Sequence, residues 1–447
     1  MSLTSRVEKA SFAIEGSEYV DKSNTEQSNE AASYERMKRN VQQLLPPVLL
    51  GKLIEQSPQQ AKSEIKTACE RVIDKEPWLY TNADCEKFVE RYLDSIFGLG
   101  PLESLLDNED ITEIMVNGSR SFFYEREGRL FESDSVFASD AQVYALIDKI
   151  ISPLGRRVDE SSPMVNARLP EGHRVNIIIP PLALDGPVVT IRKFRSKIYS
   201  LEELENMGSF DNEIKSLMKW AVKKRCNIAV SGGTGSGKTT LLNALSTQIP
   251  LSERIVTIED SAELRFSEHP HVVRLEARPQ NVEGVGEVTI KDLVINSLRM
   301  RPDRIVVGEC RGSEALDMLQ AMNTGHDGSL TTLHANSPAE AISRLTMMVR
   351  YGAELPVEVI ENQIAIALDI VIQTARSVSG KRFVSELVGY SYDTVRRKCI
   401  IQSFYKWDPI EKIGTWNSVP AWIDELVPLG MATQEEVDSW KRATSLL

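Results

Sequence analysis

Gly232-Gly233-Thr234-Gly235-Ser236-Gly237-Lys238-Thr239 is the stretch on which the reading of this chain turns. A short apolar run, Asn227-Ile228-Ala229-Val230, precedes it, and Leu241-Leu242-Asn243-Ala244-Leu245 follows. The first has the texture of a buried strand and the second that of a helix. Between them, glycines let successive backbone N–H groups turn inward around phosphate oxygens. A helix N-terminus adds its dipole to the same point. In that frame Lys238 reaches the outer phosphates of a nucleotide, the Thr239 hydroxyl ligates Mg2+, and Thr240 continues the binding segment. The expected ligands are ATP and Mg2+.

From Phe210 onward, helical and extended patterns alternate, as a parallel α/β sheet requires. Arg254 to Ile258, Arg304 to Val307, Ser329 to Leu333 and Asp369 to Gln373 read as further strands. Thr257-Ile258-Glu259-Asp260-Ser261-Ala262-Glu263 sets three carboxylates after one of these, at the sheet edge where open α/β folds bind ligands. One carboxylate there is suited to polarise water while others support a metal. Arg304-Ile305-Val306-Val307-Gly308-Glu309 is an apolar strand with Gly308 where a Walker B strand usually carries Asp. Glu309 alone is left to handle magnesium or water. His326 and His334 flank the short strand at Ser329 to Leu333. No third metal ligand recurs near them, so a structural and a γ-phosphate-sensing role both fit.

Upstream, residues 1–33 are polar and expected to be a disordered tail. Residues 34–98 repeat apolar positions at helical spacing and predict a small helical module. Residues 99–196 carry short strands around a helix at Ala141 to Ile151, which predicts an α+β domain. Residues 197–208 read as a linker, 209–410 as the α/β domain, and 411–447 as a C-terminal extension without a clear pattern. Arg168, Arg174, Arg192 and Arg195 lie outside the α/β core. Arginines supplied from another domain or subunit can stabilise charge on a transferring phosphoryl group.

The 447 residues exceed one ordinary core, and 42% hydrophobic with 26% charged residues is a soluble globular balance. A net charge of −12 disfavours stable association with nucleic acid or anionic lipid. The five cysteines form no CxxC pair, which argues against zinc and fits a reducing compartment. No apolar leader opens the chain. The most apolar segment, Val175 to Ile191, is interrupted by Pro180, Pro181, Asp185 and Gly186, so no transmembrane segment is expected.

Taken in order, GGTGSGKT, TIEDSAEL, RIVVGECRG and GHDGSLTTLHANS resemble the Walker A loop, Asp box, degenerate Walker B strand and His box of the type II/type IV secretion ATPase superfamily. Gly98 to Leu102, Ile111 to Gly118, Gly155 to Val165 and Glu314 to Asn323 further resemble its CpaF-like, tight-adherence (Tad) pilus group. The resemblance spans about Tyr92 to Tyr390. It implies a RecA-like P-loop domain preceded by an α+β sensor-like domain, assembled as a homohexameric ring motor. It also implies ATP hydrolysis that drives pilus assembly, retraction or secretion through inner-membrane platform proteins, from the cytoplasmic side. Glu263 or Glu259 would prepare the attacking water, and Glu309 would support metal and water. His326 and His334 would sense the nucleotide, and the four arginines are candidates to close on the γ-phosphate. A DNA-handling conjugative ATPase is the alternative, since RecA-like cores serve both.

Overall fold

The computed structural model describes residues 33–445 apart from 34–35, 47–48, 51–52, 54–56, 78, 82–83, 90–91, 93–98, 127, 134–136, 138, 195–198, 267 and 281–284. The tail read over residues 1–33 lies almost wholly outside the described residues, and Arg195 lies outside them too. The chain forms two compact units, Met1–Lys193 and Phe194–Leu447.

In the first unit, helical residues 36–44 and helix α1 (Pro58–Lys75) bury Met37, Val41, Ile65, Cys69 and Val72 in one small core together with Phe88 and Tyr92. Ser57 caps α1 by accepting the Gln60 N–H, and Pro58 sits at the first turn, where its missing donor costs nothing. A second core belongs to a six-stranded antiparallel sheet in the order β3-β2-β1-β6-β5-β4. Its strands are β1 (Ile111–Asn117), β2 (Ser121–Arg126), β3 (Arg129–Glu132), β4 (Met164–Arg168), β5 (Arg174–Ile178) and β6 (Val188–Arg192). Helix α2 (Glu103–Asp107) precedes the sheet. Helix α3 (Asp140–Ile151) buries Val143, Leu146, Ile147 and Ile150 in the same core as Ile114, Phe122, Ile177 and Ile191.

The second unit is the α/β fold expected from the alternating pattern. Its nine-stranded sheet runs β15-β14-β13-β12-β7-β11-β10-β8-β9. Strands β7 (Ile228–Gly232), β8 (Ile255–Glu259), β9 (Val272–Glu276), β10 (Arg304–Cys310), β11 (Leu330–Leu333) and β12 (Ile370–Arg376) are parallel. Every residue of β7, β8 and β11 is buried, as expected when helices cover both faces. Alternate residues divide between two cores. Ile228, Val230 and Ile255 face one side with α4 (Leu201–Asn206), α5 (Asn212–Lys223) and α6 (Lys238–Ser246). Ala229, Val256 and Ile258 face the other, with α7 (Ile290–Ser297), α8 (Glu314–Asn323), α9 (Pro338–Arg350) and α10 (Val357–Ala367).

Three features go beyond the sequence pattern. Residues 201–206, read as linker, form α4, closed by a Ser200–Glu203 capping box and anchored by buried Leu201 and Leu204. Strands β13 (Arg382–Asp393), β14 (Lys398–Asp408) and β15 (Ile413–Trp416) extend the sheet as an antiparallel meander. The C-terminal segment folds back onto the sheet unit through α11 (Gln434–Ala443). There Trp440 stacks edge-on against Trp220 and Trp416, and its indole N–H donates to the Glu213 carbonyl at 2.8 Å. Among the described residues no helix is long and apolar enough to cross a membrane.

Candidate functional site

The parallel register brings the C-terminal ends of β7, β8, β10, β11 and β12 to one edge of the sheet, where strand-end side chains converge. The loop after β7 is shaped by its glycines. Gly235 and Gly237 hold φ of 70° and 97°, a region that L side chains rarely adopt. A Cβ on Gly232 would lie 2.3 Å from Thr374 Oγ1 and 2.5 Å from Ser236 Oγ. That space is used: Ser236 Oγ and Thr374 Oγ1 are hydrogen bonded at 2.8 Å, and the Thr374 hydroxyl donates to the Ser231 carbonyl at 3.0 Å. The loop is therefore pinned between its own strand and β12. Gly233 and Thr234 follow Gly232 at the surface of this turn, and Thr239 and Thr240 are half-buried in the first turn of α6.

Lys238 begins α6 and is buried. Its ammonium donates to the Gly232 and Gly233 carbonyls at 3.0 and 2.9 Å and lies 3.5 Å from His334 Nδ1. Burial pulls its pKa down, opposed by Glu309. Glu309, near the end of β10, is bound on both oxygens. His334 Nε2 lies 3.1 Å from Oε1, and Arg311 donates to Oε2 at 2.6 Å. Burial lowers the His334 pKa against the opposing pull of Glu309. Glu309, Asp260 and Glu263 all act electrostatically on Arg311, whose pKa is raised chiefly by its bond to Glu309. The Thr332 hydroxyl ties β11 to β10 by donating to the Gly308 carbonyl at 2.7 Å. Lys238, His334, Glu309 and Arg311 thus form one polar chain.

Glu259 ends β8 and is only 3% exposed. Its Oε1 accepts the Glu263 and Leu264 N–H groups at 2.7 and 2.9 Å. Burial raises its carboxyl to about 7. Just beyond, the Arg265 N–H donates to Asn243 Oδ1 on α6 at 3.0 Å, which ties the acidic loop to the helix after the phosphate loop.

His326 stands apart. Strand β11 runs parallel to β7 with Leu330 opposite Ile228 and Leu333 opposite Ser231. His334 therefore follows the strand end beside the phosphate loop, whereas His326 precedes the other end. There the Ser329 hydroxyl donates to the His326 carbonyl, and the His326 N–H reaches the Ala321 carbonyl at the end of α8. Within this chain the two histidines do not share a site.

In the first unit, Arg168, Arg174 and Arg192 occupy one cross-strand row. Arg168 opposes Arg174, Arg174 opposes Arg192, and Arg192 opposes Glu113 at 3.8 Å. Directly opposed residues share a sheet face, so the three arginines stand on one side of the sheet, with the Glu113 carboxylate beside Arg192.

Sequence reasoning passed over several residues at the site. Arg311 is the other half of the Glu309 pairing. Arg382 donates to the Gly235 carbonyl at 2.9 Å. Beside Ser236, Gly237 and Thr240, a cleft of about 180 Å³ is lined by Tyr199, Leu204, Met207, Phe210, Lys381 and Phe383 among others. It is a largely apolar recess with Lys381 and Arg382 at its edge, next to the phosphate loop. The capping box at Ser200 and Glu203 is the signal that could have drawn α4, which supplies Leu204, into the reading.

The residues fit a magnesium nucleotide. The Gly232 position excludes a Cβ, and Gly235 and Gly237 hold positive φ angles that favour glycine. Thr239 and Glu309 carry oxygens of the kind that Mg2+ prefers, and both Glu309 oxygens are engaged here by His334 and Arg311.

Residues 96–391 match the family model described as "Type II/IV secretion system protein". A Mycobacterium tuberculosis chain named for conjugal transfer is 38% identical over 296 residues, which cover 65% of this chain and 84% of that one. The type IV secretion system protein VirB11 of Brucella suis is 34% identical over 347 residues, covering 70% and 94%. The solved structure of the Brucella suis VirB11 ATPase in complex with sulphate matches at 32% identity and a TM-score of 0.36, over 67% of this chain and 95% of that one.

Proposed function

Because the chain belongs to the type II/IV secretion system protein family, we propose that it is an ATPase whose turnover at the β7–α6 loop drives a secretion or pilus machine. The observation that carries this reading is the polar chain Lys238–His334–Glu309–Arg311, held at the strand ends beside a glycine loop that admits no side chain at Gly232.

In this reading the loop amides and Lys238 hold the β- and γ-phosphates. Nucleotide arrival draws the Lys238 ammonium from the Gly232 and Gly233 carbonyls onto phosphate oxygens. Mg2+, held by Thr239 and through Glu309, supplies charge neutralisation on the phosphates. Glu263, on the loop facing Arg311, polarises the attacking water. His334 reports the state of Glu309 to the loop, because it touches both Glu309 and Lys238. Arg168, Arg174 and Arg192 are the candidates to neutralise charge developing on the γ-phosphoryl group. The base sits in the cleft lined by Tyr199, Phe210 and Phe383.

We further propose a homohexameric ring that works from the cytoplasmic side against inner-membrane platform proteins, with the Tad pilus group as the branch. The motifs at Gly98 to Leu102 and Gly155 to Val165 support that branch. Mass measurement of the intact complex with and without a non-hydrolysable ATP analogue tests the ring. A sixfold mass is expected, and a monomer under all conditions contradicts it. Relatives named for conjugal transfer favour a second reading, in which the same motor serves a conjugative machine. DNA-stimulated hydrolysis with a steep salt dependence distinguishes that reading, and the net charge of −12 weighs against it.

A further inference from the structure

Gly308 stands where a Walker B strand usually carries an aspartate, and the packing around it shows what uses that space. A Cβ at position 308 would lie 2.8 Å from Glu259 Cγ and 3.3 Å from Glu259 Oε1. Strands β10 and β8 are adjacent and parallel, with Val307 opposite Ile258, so Gly308 and Glu259 are the next positions along that pair. The Glu259 side chain thus crosses the place that a residue-308 side chain would fill. Its Oε1 then accepts two consecutive N–H groups, those of Glu263 and Leu264. Leu264 is fully buried, which fixes the far end of the same turn.

We propose that Glu259 is a positioning residue: its carboxyl, seated in the gap left by Gly308, clamps the Glu263 and Leu264 amides and so holds the Glu263 side chain at the reaction edge. This rests on the ATPase reading above and assigns different parts to Glu259 and Glu263 of the acidic loop. A general base must present its lone pair to the water. Glu259 Oε1 is spent on two backbone donors, and Oε2, which has no hydrogen-bond partner among the described residues, is buried away from water. Glu263 is half-buried beside Arg311 and is the group the clamp delivers. The glycine at 308 is then a requirement of the neighbouring strand's side chain rather than a loss of function.

The clamp needs an acceptor oxygen, not a negative charge. Glu259→Gln keeps that oxygen and should lower the kcat for MgATP by no more than about threefold. Glu259→Ala leaves both N–H groups without their acceptor and should lower kcat by about tenfold or more, with KM little changed. Gly308→Ala should resemble Glu259→Ala, because its Cβ displaces the carboxyl. Glu259→Ala combined with Gly308→Asp returns a carboxylate to the gap from β10 and should recover part of the loss.

A second readout is independent of turnover. Hydrogen exchange in a peptide spanning residues 260–266 should speed up in Glu259→Ala and stay near the parent's rate in Glu259→Gln. If Glu259→Gln abolishes turnover as completely as Lys238→Ala, Glu259 is the base and the proposal is overturned. It is equally overturned if Glu259→Ala changes neither exchange nor kcat. A parent protein that hydrolyses no MgATP would defeat the ATPase reading, and the exchange measurement would still decide whether Glu259 holds the loop.

Discussion

Replacing Glu259 by glutamine should change how the stability of the second unit depends on pH. The carboxyl is 3% exposed. Burial raises it from 4.5 to about 7, and its two backbone bonds oppose this only in part. The sign follows from proton counts. Between these two values the folded state keeps the proton and the unfolded state has lost it, so unfolding releases a proton and stability falls as pH rises. The contribution is complete below about 4.5 and is gone once pH has passed the folded value near 7. At 1.36 kcal/mol per pH unit, the loss between pH 5 and pH 8 is roughly 2.5 kcal/mol. Glutamine does not titrate, so Glu259→Gln should lack this decline. Denaturant unfolding at pH 5, 6, 7 and 8 measures it, and tryptophan fluorescence suits the purpose because five of the six tryptophans lie in the unit that contains Glu259. The parent-minus-variant difference should shrink by roughly 2.5 kcal/mol across that range. Parallel curves would refute the assignment of a buried, proton-holding carboxyl at this position.

Further consequences follow from single contacts. Gly232→Ala drives a Cβ into Thr374 and Ser236 and should cost about 1–3 kcal/mol in denaturant unfolding, with weaker binding of a fluorescent ATP analogue. Glu309→Gln should lower kcat by about 100-fold or more, while the analogue's affinity stays within a few-fold of the parent's in direct titration. Trp440→Ala removes the ring that locks α11 onto α5 and should destabilise the second unit by about 3–5 kcal/mol, read as a lowered unfolding midpoint in a thermal scan.

The parts of the fold legible in the sequence are those where one physical signal dominates. Strands β7, β8 and β10 are buried on both faces, so they appear as continuous apolar runs. The phosphate loop declares itself because its glycines answer to geometry that no other residue meets. Strand β9 escaped because it is an edge strand with only partly buried residues, whose charges Arg274 and Glu276 blur any period. In the meander β13–β15, a register irregularity at Leu387/Val388 breaks the alternation that marks a strand in β13. The C-terminal helix carried a legible start in the Thr433–Glu436 capping box, but its apolar face is only Val437 and Trp440.

At the site, Lys238, Glu309 and His334 come together from three strands, as their positions after those strands imply. The separation of His326 from His334 depends on strand direction: both flank the same four-residue strand, and only the parallel register shows that they lie at its opposite ends. Arg311 could not be singled out from spacing, since its role comes from contacts with Glu309 and Asp260 that only the folded chain makes.

The central claim is that this chain turns over ATP at the loop between β7 and α6. The most direct test is phosphate release from MgATP by the purified full chain, set beside Lys238→Ala at equal concentration. The account predicts steady turnover by the parent and a loss of at least about 100-fold in the variant. Equal rates in the two proteins would contradict it.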